Sequence, residues 1–109
     1  MSSEQHGYRV HPKIGAALAR RIKTKDAFKL YLYFLDKVSK NNFINGTYED
    51  FSIETGIHKG NISRVMKELI SLNIIKKIRP SSYLLNPDIS YEGGEKMYYV
   101  VKYKWDGEI

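Results

Sequence analysis

Residues 47–85 read TYEDFSIETGIHKGNISRVMKELISLNIIKKIRPSSYLL, and this stretch decides the architecture. Thr47 and Asp50 have the Thr-x-x-Asp spacing of a capping box, in which side chain and backbone satisfy each other's free groups at a helix start. The short helix they open stops at Gly56, because glycine adopts the left-handed closing conformation without steric cost. Ile57 follows, and a longer helix is predicted from near His58 to about Leu72. Then the character changes: Ile74–Arg79 and Tyr83–Leu85 are β-prone runs joined by Pro80-Ser81-Ser82, which reads as a hairpin. A short capped helix, a tight turn, a longer helix and a hairpin are the layout of a helix-turn-helix followed by a wing.

The longer helix divides into two faces at 100° per residue. Ile62, Val65, Met66, Leu69 and Leu72 fall in one arc and must pack on the core. Gly60, Ser63, Arg64, Lys67 and Ser71 point the other way, flanked by Lys59 and Asn61. Small residues permit close approach to a groove, and long basic ones beside them reach phosphates or guanine edges. Asn61 is a candidate for adenine, whose N6 and N7 an amide can bond together. His58, at the helix start, either touches a phosphate or simply caps the helix. On the hairpin, Lys77, Arg79, Ser81 and Ser82 are candidates for a phosphate strand or the minor groove, although basic residues also guard exposed strand edges. These eleven positions, His58, Lys59, Gly60, Asn61, Ser63, Arg64, Lys67, Lys77, Arg79, Ser81 and Ser82, form the expected DNA-binding set.

Outward from this core, Pro12 suits a first helical position, and Ile14, Leu18 and Ile22 follow at spacings of four. Pro12–Ile22 is therefore expected to be a short amphipathic helix ending in Arg20 and Arg21. Thr24 can cap the next helix, with Asp26 in its first turn, and this helix is expected to run to about Lys40. Its apolar residues, Ala27, Phe28, Leu30, Tyr31, Leu32, Phe34, Leu35 and Val38, cover roughly 200°, more than one small core needs. The surplus has to be covered by the N-terminal helix, by a second subunit, or by both, and the expectation is a homodimer. Asn41–Gly46 reads as a turn and Tyr91–Glu95, with Gly93-Gly94, as a loop. In the tail Met97, Tyr99, Val101, Tyr103 and Trp105 alternate with lysines, which favours a strand over a helix from Glu95. The predicted fold is thus an α+β winged helix-turn-helix. Four N-terminal helices precede a hairpin wing and a C-terminal strand or helix, in one domain, 1–109, with an N-terminal helical extension.

Charge agrees with a polyanionic partner. The 109 residues carry a net charge of +6, unevenly placed. Arg9, Lys13, Arg20, Arg21 and Lys23 face only Glu4 within residues 1–24, and Lys59, Arg64, Lys67, Lys76, Lys77 and Arg79 face only Glu68 within residues 56–79. Two basic blocks around a near-neutral scaffold suggest a polyanionic partner, with a solvated, solubility-giving surface as the alternative reading of charge alone.

The core of residues 47–79 resembles the winged helix-turn-helix shared by MarR-type regulators and many plasmid and phage proteins. Glu54–Ile89 is similar more specifically to firmicute plasmid replication proteins of the RepL type. There too, a recognition helix runs into a short hairpin ending in Tyr-x-x-Asn-Pro, here Tyr83, Asn86 and Pro87. The resemblance implies a DNA-binding protein of plasmid replication; transcription regulation and plasmid partition stay open beside it.

Other chemistries find little support. With no cysteine there is no disulfide, thiolate zinc site or thiol nucleophile. His6, His11 and His58 lack ligand spacing, no Walker pattern is present, and no nucleophile is paired with a base. The chain is expected to be cytoplasmic, to use no cofactor or metal, to span no membrane, and not to be an enzyme. Two rivals remain. Tyr98, Tyr99, Tyr103 and Trp105 could stack on bases of single-stranded nucleic acid, or the winged helix could bind a protein partner instead of DNA.

Overall fold

Helices begin where the capping residues fall. In the computed structural model, which describes residues 8–10, 12–39, 41–92 and 95–108, strand β1 (Tyr8–Val10) precedes helices α1 (Pro12–Ala19) and α2 (Lys25–Lys37). The Thr24 side chain caps α2 by accepting from the Ala27 N–H. Strand β2 (Phe43–Asn45) leads to α3 (Tyr48–Thr55), which opens on a complete Thr47–Asp50 capping box and closes on Gly56 at φ 79°. Helix α4 (Lys59–Ser71) starts from His58 and runs into β3 (Ile75–Arg79), β4 (Ser82–Leu85) and β5 (Ser90–Glu92). Helix α5 (Glu95–Tyr103) ends in a π-helical turn, Lys104–Glu108.

The architecture is α+β. Strands β2, β4 and β3 form an antiparallel sheet in that order, while β1 pairs antiparallel with β5. Ala27, Leu30, Tyr31 and Phe34 of α2, Phe51 of α3, and Ile62, Val65, Met66 and Leu69 of α4 pack with Ile75, Tyr83 and Leu85 on one sheet face. On the other face Leu84, Tyr91, Tyr98, Val101 and Trp105 make a second cluster, with Phe43 and Ile78 against it. The hairpin sheet is thus covered on both sides, which is why Ser82–Leu85 is buried without alternation. Three helices, α2–α4, followed by a sheet carrying a hairpin are compatible with a winged helix.

Several expectations need correction. The segment Asn41–Gly46 is not only a turn: Phe43–Asn45 pairs with Ser82–Leu84. Tyr91–Glu95 is not a loop, since Tyr91 and Glu92 belong to β5 and Glu95 opens a helix; Gly93 and Gly94 lie outside the described residues. The tail is helical, not a strand. Its buried residues Tyr98, Val101 and Trp105 follow helical spacing, and the alternating stripe is divided, with Met97, Tyr99 and Tyr103 left exposed. The surplus on α2 is mostly covered within the chain, where Leu18, Ala19 and Ile22 add to the core and only Phe28 and Leu32 stay about half exposed. Helix α1 ends at Ala19, before the expected Ile22, and α2 at Lys37; Lys40, His6 and His11 lie outside the described residues.

Polar anchors fix the connections. Asn42, buried and at φ 65°, donates from its amide to the Leu85 carbonyl at 3.1 Å and the Ser90 carbonyl at 2.8 Å. Asn86 donates to the Asn73 carbonyl at 3.0 Å and accepts from the Asp88 N–H at 2.8 Å. Asp88 in turn holds α5 through the Tyr98 hydroxyl and the Lys102 ammonium, the latter at 2.7 Å. The Tyr83 and Asn86 positions of the hairpin motif are therefore structural: one is a core aromatic, the other ties off the strand.

Candidate nucleic-acid interface

Helix α4 turns its apolar arc to the core and its other face outward. Gly60, Ser63, Arg64, Lys67 and Ser71 are exposed, as are His58 and Lys59. His58 is a cap: its Nδ1 accepts from the Gly60 N–H at 3.0 Å. A Cβ on Gly60 would meet that ring at 3.2 Å, so glycine here serves the cap as well as leaving room outside. Lys59 pairs loosely with Glu49 at 3.7 Å, both well exposed.

Asn61 is only partly exposed and already engaged. Its amide donates to Asp26 at 2.6 Å, and its oxygen accepts from the Arg64 guanidinium. The amide thus joins α4 to the first turn of α2 and steadies Arg64. Two turns further along α4, Glu68 accepts from the Lys23 N–H at 2.6 Å and from the Thr24 hydroxyl at 2.9 Å. This clamp seats the Lys23–Thr24 corner on the helix that carries Arg64 and Lys67, and Arg20, Arg21 and Lys23 leading into it are exposed. The end of the first basic block and the helix of the second, far apart in sequence, touch at Glu68. Sequence spacing gives no sign of that contact; the available signal was Glu68 itself, the single acid within the second block.

The hairpin presents Lys77, Arg79, Pro80 and Ser81 to solvent, with Ser81 at φ 62° in the turn. Ser82 is not part of this surface. It belongs to β4, is buried, and its hydroxyl has no hydrogen-bond partner among the described residues. Lys76 is likewise drawn away, donating to the Trp105 carbonyl and lying over the Trp105 ring at 5.2 Å. By contrast Lys67, Lys77 and Arg79 make no ion pair among the described residues. Uncompensated cations on one helix face and one hairpin are free to neutralise phosphates.

A family model described as firmicute plasmid replication protein (RepL) matches residues 22–107. The chain belongs to that family. The match runs from the link between α1 and α2 to the C-terminal π turn. It therefore extends on both sides of the Glu54–Ile89 stretch whose motifs resemble RepL, and takes in α2 and α5. Membership ties this RepL chain to plasmid replication. Neither the curated proteins nor the solved structures searched give a match. Among the described residues, no group of His, Asp and Glu is placed to hold a metal ion, and no helix is long and apolar enough to cross a membrane.

Proposed function

We propose that this RepL protein binds double-stranded DNA of its plasmid during replication, with α4 as the recognition helix and β3–β4 as a wing. In this reading it acts by binding, without catalysis of its own. One observation carries the proposal: Glu68 holds the Lys23–Thr24 corner, which follows the exposed Arg20 and Arg21, against the helix that exposes Arg64 and Lys67. Exposed basic side chains on the outward side of a helix suit the negatively charged walls of a groove, which is why duplex is preferred here to single strands. Among replication, partition and repression, family membership favours replication. Binding as a twofold pair belongs to the same proposal, with two recognition helices about one DNA turn, roughly 34 Å, apart on inverted half-sites.

Selection of bound duplex from a random pool tests this reading. The expected motif is an inverted repeat that recurs at the plasmid's replication origin. Its affinity should fall with salt at a log–log slope near −0.9 per neutralised phosphate. A slope near zero, or tighter binding to single strands, would remove the duplex reading; a selected motif found only at a promoter would replace replication by repression.

A further inference from the structure

Helix α5 is apolar on two opposite sides. Tyr98, Val101 and Trp105 face inward, while Tyr99, Val100 and Tyr103 lie on the far side, 59%, 44% and 73% exposed. Together with Lys104 these three line a shallow surface groove of about 520 Å³. A tyrosine can bury roughly 150–250 Å², so two tyrosines and a valine leave a patch of a size that commonly marks an interaction site.

The residue order fits one occupant, the same helix from a second copy. Lys96 and Tyr103 are seven residues apart, so they lie on nearly the same line along α5, with Tyr99 and Val100 midway between them. If two such helices run antiparallel about a twofold axis between Tyr99 and Val100, each Lys96 falls opposite Tyr103 of the other copy. Val100 meets Val100, and Tyr99 lies beside Tyr99. The arrangement is self-complementary, as an isologous interface must be. It also answers the charge of the exposed Lys96, which would otherwise repel its copy, by setting each ammonium against a tyrosine ring. The chain already uses such pairs, Lys76 over Trp105 at 5.2 Å and Lys104 over Phe43 at 5.7 Å.

We propose that the outer face of α5, formed by Lys96, Tyr99, Val100 and Tyr103, is the surface through which two copies of this chain pair. The proposal rests on the twofold reading above and names its interface. The inner face of the same helix is latched to the wing sheet through Lys76 and Leu84. Pairing through α5 thus fixes the two wings relative to each other.

The absence of native cysteine makes the test direct. Val100→Cys and Ile53→Cys each introduce a sole thiol, the second on α3 at a position 72% exposed. Under mild oxidation Val100→Cys should form covalent dimer about tenfold faster or more, because pairing turns a collision into a near-unimolecular step. The double variant Tyr99→Ser/Tyr103→Ser should sediment as a monomer at concentrations where the parent is a dimer, with affinity for a single half-site duplex unchanged. Equal crosslinking rates, a parent that stays monomeric at high micromolar concentration, or a double variant that remains dimeric would each overturn the proposal. A chain that crosslinks through Val100 but binds no duplex supports the interface and removes the DNA reading, so the two failures are distinguishable.

Discussion

The side-chain amide of Asn61 donates to the carboxylate of Asp26 at 2.6 Å, tying the outward flank of α4 to the first turn of α2. That bond changes what Asn61 can do for DNA. A hydrogen bond to a charged group is worth about 1.5–3 kcal/mol net, and a bidentate adenine contact supplies about 1–3 kcal/mol of discrimination. Reading adenine would require the first to be given up for the second, with little gain. Asn61 is better suited to holding the Arg64 guanidinium in place.

Asn61→Ala should therefore act on stability first. The expected loss is about 1–2 kcal/mol in urea unfolding, because Asp26 loses its donor across the helix pair. Duplex affinity should fall for all sequences alike, through a looser Arg64, with the base preference at each site position retained. A selective loss at one adenine, with unfolding unchanged, would show that Asn61 reads a base after all.

Arg64 and Arg79 should separate helix from wing. Arg64→Ala is expected to cost about 1–3 kcal/mol on the preferred site and to flatten discrimination at one position. Arg79→Ala, on the hairpin, should weaken every duplex evenly and reduce the salt slope by about one. Competition binding at two salt concentrations reads both effects. Small, equal losses on every sequence would mean that neither side chain reads a base.

Gly56 tests the turn between α3 and α4. Its φ of 79° is left-handed, yet an added Cβ would meet only the Lys29 Nζ at 3.8 Å. The cost of Gly56→Ala is thus conformational, about 1–2 kcal/mol, and Gly56→Asn should recover part of it, since asparagine tolerates this region. Thermal unfolding of the two variants gives the comparison.

What the sequence showed and what it hid have physical causes. The segment from α3 to β4 was legible because Thr47, Asp50 and Gly56 mark helix ends locally, and because Ile62, Val65, Met66 and Leu69 keep one helical period. The three-residue strands β1, β2 and β5 have no period to detect. Strand β2 depends on Asn42 reaching Leu85 and Ser90, a contact between distant residues. Helix α5 was obscured because its outer face is as apolar as its inner one, so odd positions imitated a strand. On the site, exposure of Gly60, Ser63, Arg64 and Lys67 followed from the helix period. Burial of Ser82 did not, because β4 is covered on its second face as well, where Tyr98, Val101 and Trp105 of the tail pack on Leu84.

Tyr83 joins the β3–β4 hairpin to the core, and it should set the alkaline limit of the fold. Its ring packs near Phe51 at 6.0 Å, and its hydroxyl is pushed up to about 12, first by burial and then by the neighbouring Tyr48 phenol. Burial also raises Tyr31, Tyr33 and Tyr91, and for Tyr33 the carboxylates of Glu54, Asp50 and Asp36 add to the effect. The protonated phenol is thus favoured in the fold, while the unfolded chain loses the proton near the ordinary value of about 10. Between those values the folded state holds more protons, so stability must fall as pH rises. The contribution is fully present below about pH 10 and disappears towards about pH 12, with a limiting slope of about 1.4 kcal/mol per pH unit for each such tyrosine. Urea unfolding across this range should show a plateau through neutral pH and a steep alkaline decline, with tyrosinate absorbance appearing as the chain unfolds. Tyr83→Phe removes the titrating group and should make that decline shallower, even if the variant starts less stable through loss of the Tyr48 contact. An alkaline limb of the same slope in the variant would show that Tyr83 does not govern it.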